Sequence, residues 1–319
     1  ITFSFFKTED ELLSAWRKGL IDGFGPVPST HLQELSQGNT QVLSILMPRI
    51  FGIFLNAKQM PLLGELRIRQ AISHALDRQE LVKKVLPGGA TSVNSPLPFL
   101  GLADSEKIYD PEASKKLLEE LGWKDIDGDG IREKMTREKG KNVEVKLRFT
   151  LVTSDWPDLL KVAEALKFML QKVGIELAVE KRSLSELEST VLRPRNFEML
   201  LFGQVYGYEP DPFTFWHSSQ TKDPGLNVAL YANKKIDLLL EETRRISDVN
   251  ERKKKYEELS TILIKDVPAI FLYSQLYLYL LPQDMRGVEL NKISLPSDRF
   301  NEVHKWHRET KRVFRQKSR

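Results

Sequence analysis

The stretch GQVYGYEPDPFTFWHSSQ, residues 203–220, gathers five aromatic side chains, two acids and a histidine within a few turns of chain. Proline and glycine punctuate it, so it reads as an ordered loop after a strand that ends near Gly203. Loops at strand ends are where α/β proteins usually bind ligands, and aromatic rings with a few polar groups suit a pocket for an organic solute. Tyr206, Tyr208 and Trp216 are the candidates for ligand contact, with Gln204 as a hydrogen-bonding partner and His217 beside them. The plainer reading, that Pro210, Phe213, Phe215 and Trp216 are the loop's own core, stands for about half of these aromatics. Glu209 and Asp211 form the only arrangement in the loop that suggests hydrolysis by paired carboxylates. At a spacing of two residues beside proline, they read more simply as turn formers and a cap for a following short helix.

A second acidic stretch, DIDGDGIREK, residues 125–134, places Asp125, Asp127 and Asp129 at the first, third and fifth positions of a calcium loop, with Gly130 at the turn position. Thr136 stands at the twelfth position, where such loops carry a bidentate Glu, and Ile131 falls one place early. The expectation is therefore a hydrated Asx/Gly turn, with calcium as the alternative. Nothing else points to a metal or cofactor. The chain has no cysteine, which excludes disulfides, thiolate catalysis and thiolate metal sites. Its five histidines make no HExxH or other ligand set, although His304 and His307 lie three apart on a candidate terminal helix. There is no G-x-S-x-G elbow, P-loop or dinucleotide fingerprint, so no cofactor and no enzymatic role are expected.

The elements that must position these residues alternate between strand and helix. Residues 1–6 and 20–24 read as short strands around a helix opened by Thr8, and 42–56 holds one or two more. Helices follow in RIRQAISHAL and in DRQELVKKVL, the second capped by Asp77; another opens at Asp110-Pro111. Alternation at Val143, Val145, Leu147 and Phe149, and at Ile175, Leu177 and Val179, marks strands flanking a helix over 157–173. A short helix near 184–192 precedes the strand NFEMLLFGQ. Two amphipathic helices and a long aromatic strand, 269–280, complete the pattern. This is an α/β architecture with helices packed on mixed sheets. No run approaches the ~20 apolar residues of a membrane helix.

The formal charge of +4 is local. Residues Lys305–Arg319 carry a net +6, leaving −2 for the remainder, so the basic character is that of a solvated tail and not of a nucleic-acid surface.

Four segments in order resemble the family 5 extracellular solute-binding proteins, the oligopeptide and dipeptide receptors of ABC importers. They are RIRQAISHALDRQELVKKVLPGGATSVNSPLP (67–98), YDPEASKKLLEELGWKDIDGDGIREK (109–134), NFEMLLFGQVYGYEPDPFTFWHSSQ (196–220) and LYANKKIDLLLEETRRISDVNERKKKYEELSTILIKDVPAIFLYSQ (230–275). The resemblance implies a two-lobed, type II periplasmic-binding-protein-like fold whose N-terminal portion lies before Ile1. Residues 1–51 and 281–319 would be a partial first lobe, and 52–280 a second lobe, with a hinge at the two crossings. It implies an extracytoplasmic monomer, free or lipid-anchored, that captures a peptide-like or oligosaccharide solute between lobes and delivers it to ABC permease subunits. A ligand-sensing adaptor on the same fold is the alternative, and a carboxylate hydrolase a remote one. Asn56, at a crossing, and Asp211 of the Asp-Pro pair complete the ligand-binding set Asn56, Gln204, Tyr206, Tyr208, Asp211 and Trp216. One departure matters: peptide receptors of the family place an acid three residues before the Asp-Pro pair, to neutralise a free amino group. Here Tyr208 holds that place, so Glu209 or a one-residue shift would have to compensate, and an uncharged solute such as a sugar becomes more credible.

Overall fold

The computed structural model describes residues 2–27, 31–100, 109–138, 140–207, 209–290 and 293–308. In chain order its strands are β1 (Thr40–Leu55), β2 (Ala90–Ser92), β3 (Glu133–Glu138), β4 (Lys141–Lys146), β5 (Arg148–Ser154), β6 (Glu176–Arg182), β7 (Met199–Val205) and β8 (Ala269–Pro282). β3 and β4 form a hairpin, and the other six form one sheet in the order β2-β8-β1-β7-β5-β6. β5 pairs in parallel with β6 and β7, whereas β1 runs antiparallel to β7 and β2 antiparallel to β8. The sheet is therefore mixed, as the alternation of strand and helix predicts.

The chain divides into two units, Ile1–Met47 with Leu276–Arg319, and Pro48–Gln275. It passes between them inside β1 and inside β8, a few residues before the positions 51 and 280 read from the sequence.

In the smaller unit, the helix Glu9–Arg17 starts where Thr8 Oγ1 accepts from Glu11 N at 3.2 Å. Its buried Leu13 packs with Phe24, Val27, Leu35, Leu278 and Leu280, and a second cluster joins Ile45, Met47, Tyr277, Tyr279, Leu281 and Ile293. Two strands expected here do not form. Residues 2–6 are not in a strand and leave Phe3 and Phe5 exposed, while Phe24 makes only an isolated bridge to Leu280. Alternation becomes a strand only when a neighbour offers an edge to pair with. The expected terminal helix is instead a single 3₁₀ turn, Val303–Lys305, followed by a bridge from His307 to Arg286.

In the larger unit the sheet is covered on both faces, because successive strand residues point to opposite sides. On β1, Phe51, Ile53 and Leu55 enter one core with the helices Leu66–Ala75, Pro111–Glu120 and Pro157–Gln171. Ile50 and Phe54 enter the other, with Phe213–Trp216, Lys234–Thr243 and Val249–Asp266. Three helices begin on an aspartate: Asp77, Asp110 and Asp248 each accept from a backbone N–H three residues on, at 2.8–2.9 Å. The segment 184–192 is one helical turn from a Ser183–Glu186 capping box, continued as a π-helix over Leu187–Leu192.

Two arginines of the RIRQAISHALDRQE stretch tie this scaffold together. Arg69 donates to the carbonyls of Asp266 and Val267 at 2.7–3.3 Å, at the end of Val249–Asp266. Val267 is held there at φ +48°, a backbone costing about 1–3 kcal/mol for a non-glycine residue unless its surroundings fix it. Arg78, buried, donates to Phe271 O at 2.7 Å and to Ser73 Oγ at 2.9 Å, locking a helix start to β8.

Candidate functional site

Because β5, β6 and β7 are parallel, Ser154, Arg182 and Val205 end at one edge of the sheet in the larger unit. Antiparallel β1 brings Arg49 opposite Val205 and Ile50 opposite Gln204. Ser274 of β8 donates its hydroxyl to Arg49 O at 2.6 Å, which places Gln275 at the same edge. Close packing of β1 on β7 requires Gly203: a Cβ there would lie 2.8 Å from the Phe51 ring. Phe51 in turn stacks on Tyr273 at 4.8 Å and meets Trp156, half-exposed after β5, edge-on at 6.5 Å. The edge thus combines an aromatic wall with strand ends, the setting that the sequence predicts for residues 203–220.

Behind this edge lies a hydrogen-bonded relay. Trp216 Nε1 can only donate, and it does so to the Tyr206 hydroxyl at 3.1 Å. That hydroxyl donates onward to Gln204 Oε1 at 3.2 Å. Tyr206 and Trp216 are 1% and 0% exposed, in the core with Phe54, Phe215 and Phe271. Burial pushes the Tyr206 phenol up, so it stays a neutral donor. Both aromatics, expected as contact surfaces, are therefore the support of Gln204 and offer no exposed face of their own. With Oε1 engaged, the Gln204 amide keeps its N–H groups for something else, and Nε2 is buried without a hydrogen-bond partner among the described residues.

Two neighbours share that condition. Arg49 Nε and Gln275 Oε1 are also buried atoms without a hydrogen-bond partner among the described residues. β8, β1 and β7 are adjacent, and the three groups stand near one edge of the sheet, Arg49 on the face that carries Phe51 and Gln204 on the face that carries Ile50. Buried polar atoms are normally satisfied, by protein, water or ligand, and a cluster of exceptions needs a reason. Arg49 and Gln275 were not legible as site residues, since no motif surrounds them. Their one signal was position, each standing where its strand reaches the edge that the loop also reaches.

The remaining expected residues are placed elsewhere or otherwise engaged. Asn56 lies at the opposite end of β1, six residues along from the partner of Gln204 and so about 20 Å away. It is 0% exposed, donating to Arg195 O at 2.9 Å and accepting from Lys58 N at 3.0 Å. Its side chain thus closes a buried turn at the end of β1. Tyr208 lies outside the described residues. Asp211 accepts from Phe213 N at 3.2 Å and pairs with Arg244 at 2.6 Å, both side chains half-exposed. This is the turn-and-cap role, and it argues against a free carboxylate pair. Arg244 also stacks over Phe213 at 3.6 Å, whose ring lies 4.1 Å from His217. Asp125, Asp127 and Asp129 form a separate cluster in the turn before β3.

This chain and its fold have clear relatives. The family model for bacterial extracellular solute-binding proteins, family 5 middle, matches residues 1–225. The oligopeptide-binding protein AppA of Bacillus subtilis is 29% identical over 315 residues, 96% of this chain and 55% of that protein. The structure of AppA from Bacillus subtilis in complex with a nonapeptide is similar at a TM-score of 0.72 and 28% identity, over 94% of this chain and 58% of that one. HbpA2 from Haemophilus parasuis shares the fold at a TM-score of 0.79 and 18% identity, over 97% and 58% of the two chains. The chain spans a little over half the length of these relatives. With 225 of its 319 residues matched, it belongs to the bacterial extracellular solute-binding proteins of family 5.

Proposed function

We propose that this chain is part of the substrate-binding component of an ABC importer, and that its solute binds at the edge formed by Arg49, Gln204 and Gln275. The observation that carries this reading is the set of three buried, unpartnered polar atoms on adjacent strands. Two donors and an acceptor complement the carbonyls and amide of an extended peptide, and they serve an oligosaccharide hydroxyl as well. Trp156, half-exposed beside Phe51, supplies the apolar surface such solutes need. Binding energy at such a site selects a conformation and drives no chemistry, so the protein acts as a receptor and not as an enzyme. It works outside the cytoplasmic membrane, as a monomer, and hands its solute to permease subunits. The similarity to an oligopeptide-binding protein favours a peptide-like solute.

The test is a thermal-shift screen of the protein against peptides and oligosaccharides, followed by calorimetry on the best class. A rise in Tm with one class, and a loss of about tenfold in affinity in Gln204→Ala, are expected for one hydrogen bond to a buried group. No shift with any solute, or full affinity in the variant, would refute the assignment.

A further inference from the structure

The loop DIDGDG lacks a glutamate at the twelfth position of a calcium loop, but the fold supplies a carboxylate by a shorter route. In a helix-flanked loop the chain must travel to that position before it returns. Here it leaves the turn as strand β3, beginning at Glu133, and Glu133 pairs through its backbone with Lys124 at 2.8 and 3.1 Å. This sets the Glu133 side chain against the start of the loop. One carboxylate oxygen from each of Asp125, Asp127, Asp129 and Glu133 then lies within 4.8 Å of the others. Calcium binds oxygen at about 2.4 Å, so ligands on opposite sides of the ion stand about 4.8 Å apart.

The four acids are not equivalent. The three aspartates are exposed, as a hydrated turn would have them, whereas Glu133 is 1% exposed. Its Oε1 accepts from the backbone N–H of Ile126 at 2.5 Å and of Asp127 at 3.1 Å. Its Oε2 is buried with no hydrogen-bond partner among the described residues. A simple turn gives no reason to bury a carboxylate oxygen without a donor, because the desolvation is uncompensated. A cation gives one.

The turn itself is already shaped. Asp125 accepts from Gly128 N at 2.8 Å and Gly130 N at 3.1 Å, Asp127 from Asp129 N at 3.1 Å, and Asp129 from Ile131 N at 2.8 Å. Gly130, at φ +84°, makes the bend that a side chain would strain. Lys146 of β4 sets its Nζ 2.6 Å from both Asp127 Oδ2 and Asp129 Oδ2. Among the described residues, Lys146 is the cation that pairs directly with the aspartates of the turn. Beside the cluster, an open depression of about 830 Å³ lined by Glu119, Lys124, Asp125, Gly130 and Arg132 gives a hydrated ion a way in.

We propose that Asp125, Asp127, Asp129 and Glu133 bind one calcium ion, which takes the place of Lys146 on Asp127 and Asp129 and completes the coordination of the buried Glu133. All four ligands are oxygens, and a turn offering four carboxylates suits calcium better than magnesium, which demands strict octahedral geometry and keeps several of its waters. The ion would pin the end of the helix Pro111–Glu120 to the β3–β4 hairpin.

Calorimetry of the chelator-treated protein with calcium chloride, in a buffer free of phosphate, tests this directly. One equivalent is expected, with a Kd of about 10⁻⁴–10⁻³ M, the range of extracellular calcium modules. Asp129→Asn and Glu133→Gln should each weaken binding at least about tenfold by removing a charged ligand, and Lys146→Met should tighten it by removing the competitor. Failure of the wild-type chain to bind calcium at about 10 mM, well above that range, would overturn the proposal. So would unchanged binding in Asp129→Asn, whose exposed side chain can be altered without disturbing the core. Far-UV circular dichroism confirms folding of Glu133→Gln, and Asp129→Asn decides the question if that variant does not fold.

Discussion

Tyr206→Phe removes one oxygen from the larger unit and leaves its packing in place. The hydroxyl accepts from Trp216 Nε1 at 3.1 Å and donates to Gln204 Oε1 at 3.2 Å, among residues that are at most 4% exposed. Without it, the Trp216 N–H has no acceptor in the relay and Gln204 Oε1 loses its donor. A buried polar group left unsatisfied costs about 1–3 kcal/mol. The variant also no longer buries the hydroxyl itself, which offsets part of that cost. The expected net loss is about 1–2 kcal/mol in the unfolding free energy of the larger unit, measured by urea titration with circular dichroism. Solute affinity should fall too, because the Gln204 amide is free to turn. A double-mutant cycle with Trp216→Phe isolates the relay, with a coupling of about 0.5–3 kcal/mol expected for neighbours sharing one hydrogen bond. A Tyr206→Phe stability within about 0.5 kcal/mol of wild type, together with no coupling, would show that the three groups merely touch.

Two further outcomes follow from groups already described. Asp211→Asn should change stability by no more than about 1 kcal/mol, since its pair with Arg244 is half-exposed, and should leave solute affinity within about twofold. A larger loss of binding in calorimetry would mean that Asp211 meets the solute after all. In the smaller unit, burial pushes the Tyr277 phenol up to about 12, and its hydroxyl is buried without a hydrogen-bond partner among the described residues. The folded value lies above the unfolded value of about 10, so this contribution to stability is whole below pH ~10 and is lost as pH rises toward 12. Urea midpoints across that window should fall less steeply in Tyr277→Phe than in wild type, and equal slopes would refute it.

The architecture was legible because its signals are local. Asp77, Asp110 and Asp248 cap helices through hydrogen bonds spanning three residues, and the alternation of Ile175, Leu177 and Val179 at β6 depends only on which face each side chain takes. Signals that need a partner were less secure. Residues 2–6 carry a strand pattern without forming a strand, and Asn56 reads as a polar residue near a crossing when it is in fact a buried turn former. The relay shows the same limit. Tyr206 and Trp216 were visible as an aromatic pair, but their burial behind Gln204 depends on Phe54 and Phe271, which come from strands far away in the sequence. Glu133 escaped because a helix-based template looks for its last ligand at the twelfth position, whereas a strand brings a carboxylate back sooner.

The same contrast separates what identifies the chain from what would select its solute. Arg69 and Arg78, in the first of the four stretches that resemble the family, donate to carbonyls at a helix end and on β8, so that stretch reports a scaffold. Selectivity must then lie with residues that the scaffold leaves unsatisfied. Asp211 is not one of them, because Arg244 already neutralises it and Phe213 N–H already uses it. A free amino group would need a carboxylate without such partners to repay its desolvation. Arg49 Nε, Gln204 Nε2 and Gln275 Oε1 instead offer donors and an acceptor across adjacent strands and no carboxylate, a match for the polar groups of a solute rather than for a free amino group. On this reasoning, a peptide with a blocked amino terminus should bind this edge as well as its free counterpart.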